Sequence, residues 1–452
     1  MQPQIFNVLT TTAADLQQLL ANKEVTSVQI VGEYLSQIDR HEAALNALIS
    51  IAPRDKLLRA AASLDAERQD GSLRSKLHGI PIILKDCFTT ASDLGMSTTC
   101  GSLAFVGAKA SRNSTIVQRM IDAGLIVLAK ANMTAPGGSS TGSAVAVSAG
   151  FSPLAMGTET IGSIITPSNR NFLYGLKPTV GAQDTTGMYS MTEFYDSPGP
   201  MAKCAADVRD MTQILLGKDF KSPNIGSWAG ISVGFVDPAL WTLSEDMCTH
   251  HQGTAEQMAE DFNSVVAKLR DNGCPVKHPI HVPDVSSLPD AIHIAHWDFK
   301  HICIPNFVAA FDDCPVKTVE DIVNFNEAHK DKAMPAPYTE QNDLIKAMNK
   351  SEDPELIQQM KKELRNKARE ILGKLFEENG VNLLVAPCDS GFCVYAAAAG
   401  YPLAAVPVGQ LHYNGRPFGA CIIAEANKED LLLQYMEEYE AVWGARPVPS
   451  MF

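Results

Sequence analysis

The stretch "GGSSTGSAVAVSAGFSPLAMGTETIGSIITP", residues 137–167, carries a single charged side chain, Glu159, in 31 positions. A segment so poor in charge reads as buried, yet it is full of hydroxyls, and buried hydroxyls need hydrogen-bond partners. Ser163 stands in a glycine-punctuated turn with no histidine, cysteine or lysine beside it in sequence. A nucleophilic serine there would need its base from elsewhere in the chain. Within the same stretch "GSSTG", residues 138–142, matches G-x-S-x-G and nominates Ser140 as the nucleophile of a hydrolase elbow. That elbow needs a strand running straight into it, and "MTAPG" at 133–137 is a proline-glycine loop instead. A phosphate-cradling loop is excluded, because no Gly-Lys-Ser/Thr closes the segment.

Outward from this block the chain alternates helix and strand. "VTSVQIVGEYLSQIDRHE" puts Val28, Val31, Leu35 and Ile38 on one helical face, with Thr26 or Ser27 as N-cap. The first 70 residues read as helices. "GIPIIL" at 79–84 reads as a strand buried on both faces. Ser114 caps a helix with Ile116, Val117, Met120 and Ile121 inward; Gly124 ends it, and the strand from Leu125 to Ala129 follows. This helix–glycine–strand rhythm marks an α/β sheet. Further on, "ISVGFV" and "VNLLVAP" read as strands, and 254–273 as a helix. Residues 353–379 read as a charged helix with a mainly solvated face. A last helix begins at Asn427, with Asp430 in a capping-box position.

The 45% hydrophobic and 19% charged composition is that of a globular chain with no disordered tail. A formal net charge of −14, with lysine and arginine spread thinly, argues against direct binding of a nucleic-acid backbone. No stretch approaches the roughly 20 apolar residues of a membrane span. Ten cysteines without paired spacing read as reduced thiols, and a cytoplasmic location is expected. "HIAHWDFKH" clusters His293, His296, Asp298 and His301. Without a second carboxylate-rich cluster it reads as a helix packing its histidines on Trp297 or toward solvent, so no metal and no cofactor is expected.

Lys85 closes the apolar run "GIPIILKD". A lysine at a strand end is commonly a snorkelling charge. Desolvated, however, it loses its ammonium form, and a neutral amine within reach of a serine is a general base that needs no histidine. Lys85 lies 78 positions before Ser163.

"GIPIILKDCF" at 79–88, the block at 137–167 and "YGLKPTVG" at 174–181 together resemble the amidase signature family of serine hydrolases. The resemblance extends to "DSPGPMAKCAADV" at 196–208 and "GYPLAAVPVGQLHYNGRPFGACIIA" at 400–424. It implies an α/β fold with a central mixed, mostly parallel β-sheet covered by helices on both faces. It also implies a Ser–cis-Ser–Lys triad. The family lysine falls on Lys85, the bridging serine on Ser139 and the nucleophile on Ser163, 24 positions further on. The bridge would sit on a cis Gly138–Ser139 peptide, with Gly137, Gly138, Ser140 and Glu159 in support. Backbone amides of Thr160, Ile161, Gly162 and Ser163 would form the oxyanion hole. Three positions depart from the family: Ile161 replaces a glycine, Glu159 an aspartate and Ile165 an arginine. Arg170 is expected to supply the missing cation to Glu159.

The chain is therefore expected to be one domain over 1–452: N-terminal helices to 70, the signature core over 71–215, a variable peripheral region over 220–380, and a return to the sheet over 381–452. It is expected to hydrolyse a small or medium carboxamide through an acyl-enzyme. An acyltransferase, a silent ligand-binding homologue and the glutaminase subunit of an amidotransferase are the alternatives. Partners reduce to a small-molecule amide, with a homodimer compatible. Loops at 334–343 and 386–401 are expected to set specificity.

Overall fold

The computed structural model describes residues 5–134, 138–243, 249, 251–289 and 291–449. Eleven strands form one sheet: β1 (Leu48–Ile51), β2 (Pro81–Lys85), β3 (Ile126–Ala131), β4 (Leu154–Glu159), β5 (Tyr174–Lys177), β6 (Ser197–Ala202), β7 (Val233–Val236), β8 (Val276–Ile280), β9 (Leu383–Pro387), β10 (Leu403–Gln410) and β11 (Pro417–Ile423). Their order is β1-β3-β2-β4-β6-β5-β10-β11-β9-β7-β8. Every residue of β2, β3, β4, β5, β6 and β9 is buried, so both faces of the sheet are covered along these strands.

The sheet is mixed, but "mostly parallel" needs correction. Parallel pairing is confined to β3-β2-β4 and β9-β7-β8; the other six of the ten pairings are antiparallel. The helix–glycine–strand rhythm that suggested parallel strands holds only where a helix intervenes. Between β5 and β6 the chain returns through a loop and pairs antiparallel.

Locally most sequence expectations hold. Thr26 caps the helix Ser27–Leu45 in a capping box with Gln29, and Ser114 caps Thr115–Asp122. Two expectations fail. The first 70 residues are not all helix, because Leu48–Ile51 forms the edge strand β1 against β3. The last helix runs Glu429–Trp443 without a side-chain cap. Asn427 instead adopts φ +63° and donates its N–H to Thr179 Oγ1, while Glu429 accepts from the Thr179 N–H. The helix Pro354–Asn379 is charged and largely exposed, as expected, with a buried stripe of Ile357, Leu364, Ala368, Leu372, Leu375 and Phe376. Lys361 reaches the buried Asp298 at 2.6 Å, and the Arg365 guanidinium stacks 4.0 Å over Phe194.

Residues 220–380 supply β8, at one edge of the sheet, and its neighbour β7. They also build a second apolar cluster, in which Phe299, Ile304, Phe307 and Val323 pack on Phe105 and Ala104. The histidine cluster belongs to this region, and its side chains have protein partners. His293 faces Lys350, His296 faces Asp343, and His301 packs on Trp297. Asp298 takes Thr192 and Lys361. Among the described residues no group of side chains has the makings of a metal site. No described helix is long and apolar enough to cross a membrane.

Candidate active site

β2 and β4 are parallel neighbours, with Leu84 opposite Met156, so Lys85 and Thr158 emerge at the same end of the sheet. Side chains at the carboxyl ends of parallel strands are where such sheets place their chemistry. Thr158 meets Lys85 there with two oxygens: Nζ lies 2.8 Å from Thr158 Oγ1 and 3.3 Å from Thr158 O. The third neighbour of Nζ is Ser139 Oγ, at 2.6 Å. Lys85 is buried, and burial drives its pKa below the ordinary lysine value, against the opposing pull of nearby groups that include Asp196 and Glu159.

Ser139 stands just ahead of the helix Thr141–Ser148, on a turn whose reversal is made by Gly138 at φ +85°. The expected cis peptide is not found. The cis bonds among the described residues are His278–Pro279 and Ala336–Pro337, and Gly138–Ser139 is not one of them. A positive φ at glycine turns the chain while leaving the amide in its lower-energy trans form. Gly137 lies outside the described residues.

Ser163 follows β4 on the opposite wall. Its Oγ accepts from the Ser139 N–H at 3.3 Å, and its carbonyl accepts from the Ser140 N–H at 3.3 Å. The two serine turns are thus laced together through backbone. Ser140 has a different position: it is buried, its Oγ donating to Thr158 O at 3.1 Å and accepting from Thr158 N at 3.2 Å. Committed on both sides, it fits a scaffold rather than the elbow nucleophile that G-x-S-x-G suggested.

Glu159 shapes the turn that carries Ser163. Its Oε2 accepts from Ile164 N at 2.7 Å and Ile165 N at 2.9 Å. Burial raises its pKa, opposed first by Lys177 and then by the amides of Ile165, Ile164 and Gly162. Arg170, expected to pair with it, reaches Asp389 at 3.3 Å, while Arg416 holds the other oxygen of the same carboxylate. The positive charge that most favours the Glu159 carboxylate is Lys177. This lysine is buried on β5, bonded to Tyr401 O at 3.0 Å and pushed down to about 8, chiefly by burial. Gly162, not Ile161, carries the positive φ of the turn, at +77°. Ile161 can therefore stand in a family glycine position without backbone strain.

Asp196 was not among the residues singled out from sequence. It is buried and accepts from Met191 N at 2.6 Å and Thr192 N at 3.4 Å. Burial pushes its pKa up to about 6, against a hydrogen bond from the Thr160 side chain and the charge of Lys85. Its place directly ahead of "SPGPMA" in a charge-poor stretch was the available signal.

A cavity of about 630 Å³ opens beside Ser163. Thr160, Ile161 and Ser163 form one side and Val394 with Ala398 another; the 386–401 stretch, expected as a loop, reaches the cavity with the helix Cys393–Ala399. The loop at 334–343 does not line it; Gln341 is bonded to Glu327 and the Val323 carbonyl instead. Met191, Tyr195 and Leu364 add to the wall, with Asp284, Val285, Ser286, Leu288, Pro289, Ala291 and Ile292, none of which sequence reasoning singled out.

A buried lysine with a lowered pKa against one serine, that serine's amide on a second, and a glycine-turned loop around the second make an arrangement that can support hydrolysis by a serine without histidine. The Amidase family model matches residues 29–135 and 134–391, and the chain belongs to that family. A relative from Schizosaccharomyces pombe, named as an amidase, is 26% identical over 528 aligned positions, spanning 98% of this chain and 86% of its own. The native peptide amidase of Stenotrophomonas maltophilia superposes with a TM-score of 0.85 at 29% identity, covering 97% of this chain and 98% of that one. A component of the glutamyl-tRNA(Gln) amidotransferase of Symbiobacterium thermophilum is 35% identical, but over only 46% of this chain and 47% of its own. The chain is an amidase, a hydrolase of amide bonds.

Proposed function

We propose that this amidase cleaves a small or medium carboxamide with Ser163 as nucleophile, Ser139 as proton bridge and Lys85 as base. The observation that carries the reading is the coordination of Lys85 Nζ. A neutral amine has two N–H donors and one lone pair, and Nζ has three oxygen neighbours. The two Thr158 oxygens only need to accept, which leaves the lone pair for the Ser139 hydroxyl proton. Burial lowers the Lys85 pKa and so favours the neutral form.

In the reaction the Ser163 oxygen bonds to the amide carbon and its proton passes to Ser139, whose own proton passes to Lys85. Amides of the Thr160–Ser163 turn meet the developing oxyanion, with Gly162 shared with Glu159. The C–N bond breaks as the proton returns through Ser139 to the leaving nitrogen, releasing ammonia or an amine. Water then adds to the acyl ester by the same route and frees the carboxylic acid. Two features weigh against a glutaminase role: the described lining of the cavity holds no basic side chain to meet a substrate carboxylate, and the amidotransferase likeness spans only half the chain. The cytoplasm is the proposed compartment, in keeping with nine described cysteines that are all free thiols.

The test is intact mass after treatment with a small fluorophosphonate. One adduct is expected on the wild type, none on Ser163→Ala, and slow labelling of Ser139→Ala and Lys85→Ala. An adduct that survives in Ser163→Ala overturns the assignment. The same protein is then given an amide panel scored by acid and ammonia release. A labelled serine with fast release to added amines and slow release to water would mark an acyltransferase.

A further inference from the structure

Three large apolar side chains stay substantially exposed around one opening: Ile161 at 42%, Met191 at 40% and Ile292 at 51%. All three line the cavity beside Ser163. Exposed apolar residues scattered singly need no explanation, but three converging on one concave site do. Between them the wall continues with Val285, Leu288, Leu364 and Val394. Among the described residues that line the cavity the charged one is Asp284, and one of its oxygens already accepts from Ser286 N at 2.9 Å. Cavities of a few hundred Å³ with such walls are sized for medium organic groups and bind them by burying apolar area.

Resting on the assignment of Ser163 as nucleophile, we propose that this cavity is the acyl-side subsite and takes a neutral, apolar acyl group, with Ile161 as its specificity-determining contact. Ile161 is suited to the role by position. It sits two residues before the nucleophile, and its side chain faces the cavity while Gly162 bears the conformational demand of the turn. A glycine at 161 would leave that part of the wall bare. An acyl chain laid against Ile161, Met191 and Ile292 removes apolar surface of both partners from water, whereas an acyl group ending in a carboxylate would meet apolar wall and Asp284. The same surface accommodates an apolar side chain of a peptide amide or a simple aliphatic or aryl acyl group, since both offer the same hydrocarbon.

The experiment compares phosphonylation rates of Ser163 by methyl, hexyl and carboxypentyl fluorophosphonates, so that no amide has to be turned over. The hexyl reagent is expected to label at least tenfold faster than the methyl one, and the carboxypentyl reagent no faster than methyl. In Ile161→Gly and in Ile292→Asp the hexyl-to-methyl ratio should fall severalfold. Ile292→Asp lies on the far rim, away from the nucleophile's turn, and covers the case in which Ile161→Gly loosens that turn. Labelling by all three reagents at equal rates would overturn the subsite while leaving Ser163 as nucleophile. No labelling by any of them would overturn the nucleophile assignment and the subsite with it. A primary-amide series from acetamide to hexanamide against succinamic acid then separates simple acyl groups from peptide amides, the latter probed with a phenylalaninamide peptide.

Discussion

Thr158 gives Lys85 both its hydroxyl, at 2.8 Å from Nζ, and its carbonyl, at 3.3 Å. One residue thereby offers acceptors to two N–H donors of Nζ, and the third oxygen neighbour of Nζ is Ser139 Oγ. Thr158→Val keeps the shape and removes one acceptor. A net hydrogen bond contributes about 0.5–1.5 kcal/mol, so kcat/KM for any accepted amide should fall on the order of tenfold with little change in KM. A variant with wild-type kcat would show that Thr158 does not orient the base.

Ser139 and Ser140 are adjacent but differently bound, and their alanine variants should separate. Ser139→Ala removes the oxygen at 2.6 Å from Lys85 and should abolish turnover while leaving the fold intact. Ser140→Ala removes two bonds to the Thr158 backbone and should cost about 1–3 kcal/mol of stability. Thermal melting beside fluorophosphonate labelling reads both. If Ser140→Ala were the silent variant, the elbow assignment would return.

Glu159 sits at the start of the turn it ties, and the turn carries Ser163. Removing its carboxylate leaves two buried amides without an acceptor and the buried Lys177 without its most favourable countercharge. Leaving a buried hydrogen-bonding group unsatisfied costs about 1–3 kcal/mol, so Glu159→Ala should melt lower. Glu159→Gln retains an acceptor and should recover part of both stability and labelling. Equal losses in the two variants would mean the amides do not depend on this side chain.

The Ser163 turn and the lysine strand were legible in sequence because both are local: a block with one charge, Glu159, punctuated by glycine, and an apolar run ending in one cation. The cavity wall from Asp284 to Ala295 was not. Its described residues come from two short helical pieces, Val285–Ser287 and the start of Ile292–Asp298, with their flanking residues, and they line the cavity together with Leu364 and Val394, which are distant in sequence. Strand β1 was missed for a related reason, four residues sheltered at one end by β3 and otherwise framed by helices. The trans Gly138–Ser139 bond departs from the family pattern, and that turn rests on glycine φ rather than on any signal in residue type.

Lys203 offers a stability prediction with a definite sign. It is buried, donates to Val8 O and Thr11 O, and is pushed down to about 7, first by burial and then by Arg446. Between about 7 and the unfolded lysine value near 10.4, the unfolded chain binds a proton that the folded chain does not. Stability from this group therefore rises with pH across that window, and below it the burial cost is carried in full. Lys177, pushed down to about 8, acts in the same direction over a narrower range. Melting temperature measured from pH 7 to 8.5 should climb less in Lys203→Met than in the wild type, whatever the offset between the two proteins. Parallel curves would show that the ammonium is retained on folding.

Asp196 links the oxyanion turn to the base by charge rather than by contact. It is held by the amides of Met191 and Thr192, its pKa sits near 6, and once ionised it favours the ammonium form of Lys85. Turnover requires Lys85 as the free amine, so kcat/KM should rise with pH through the depressed lysine pKa and level off above it. Glu159 pulls on Lys85 in the same direction, and burial opposes both. In Asp196→Asn the amide can still accept from Met191 and Thr192 while the negative charge is gone, so the acid limb of kcat/KM should move to lower pH. A purely structural role would lower the plateau and leave the limb where it was. The pH profile of a single accepted amide, recorded on both proteins, decides between them: a displaced limb makes Asp196 a tuner of the base, and an undisplaced one confines it to holding the Met191 loop.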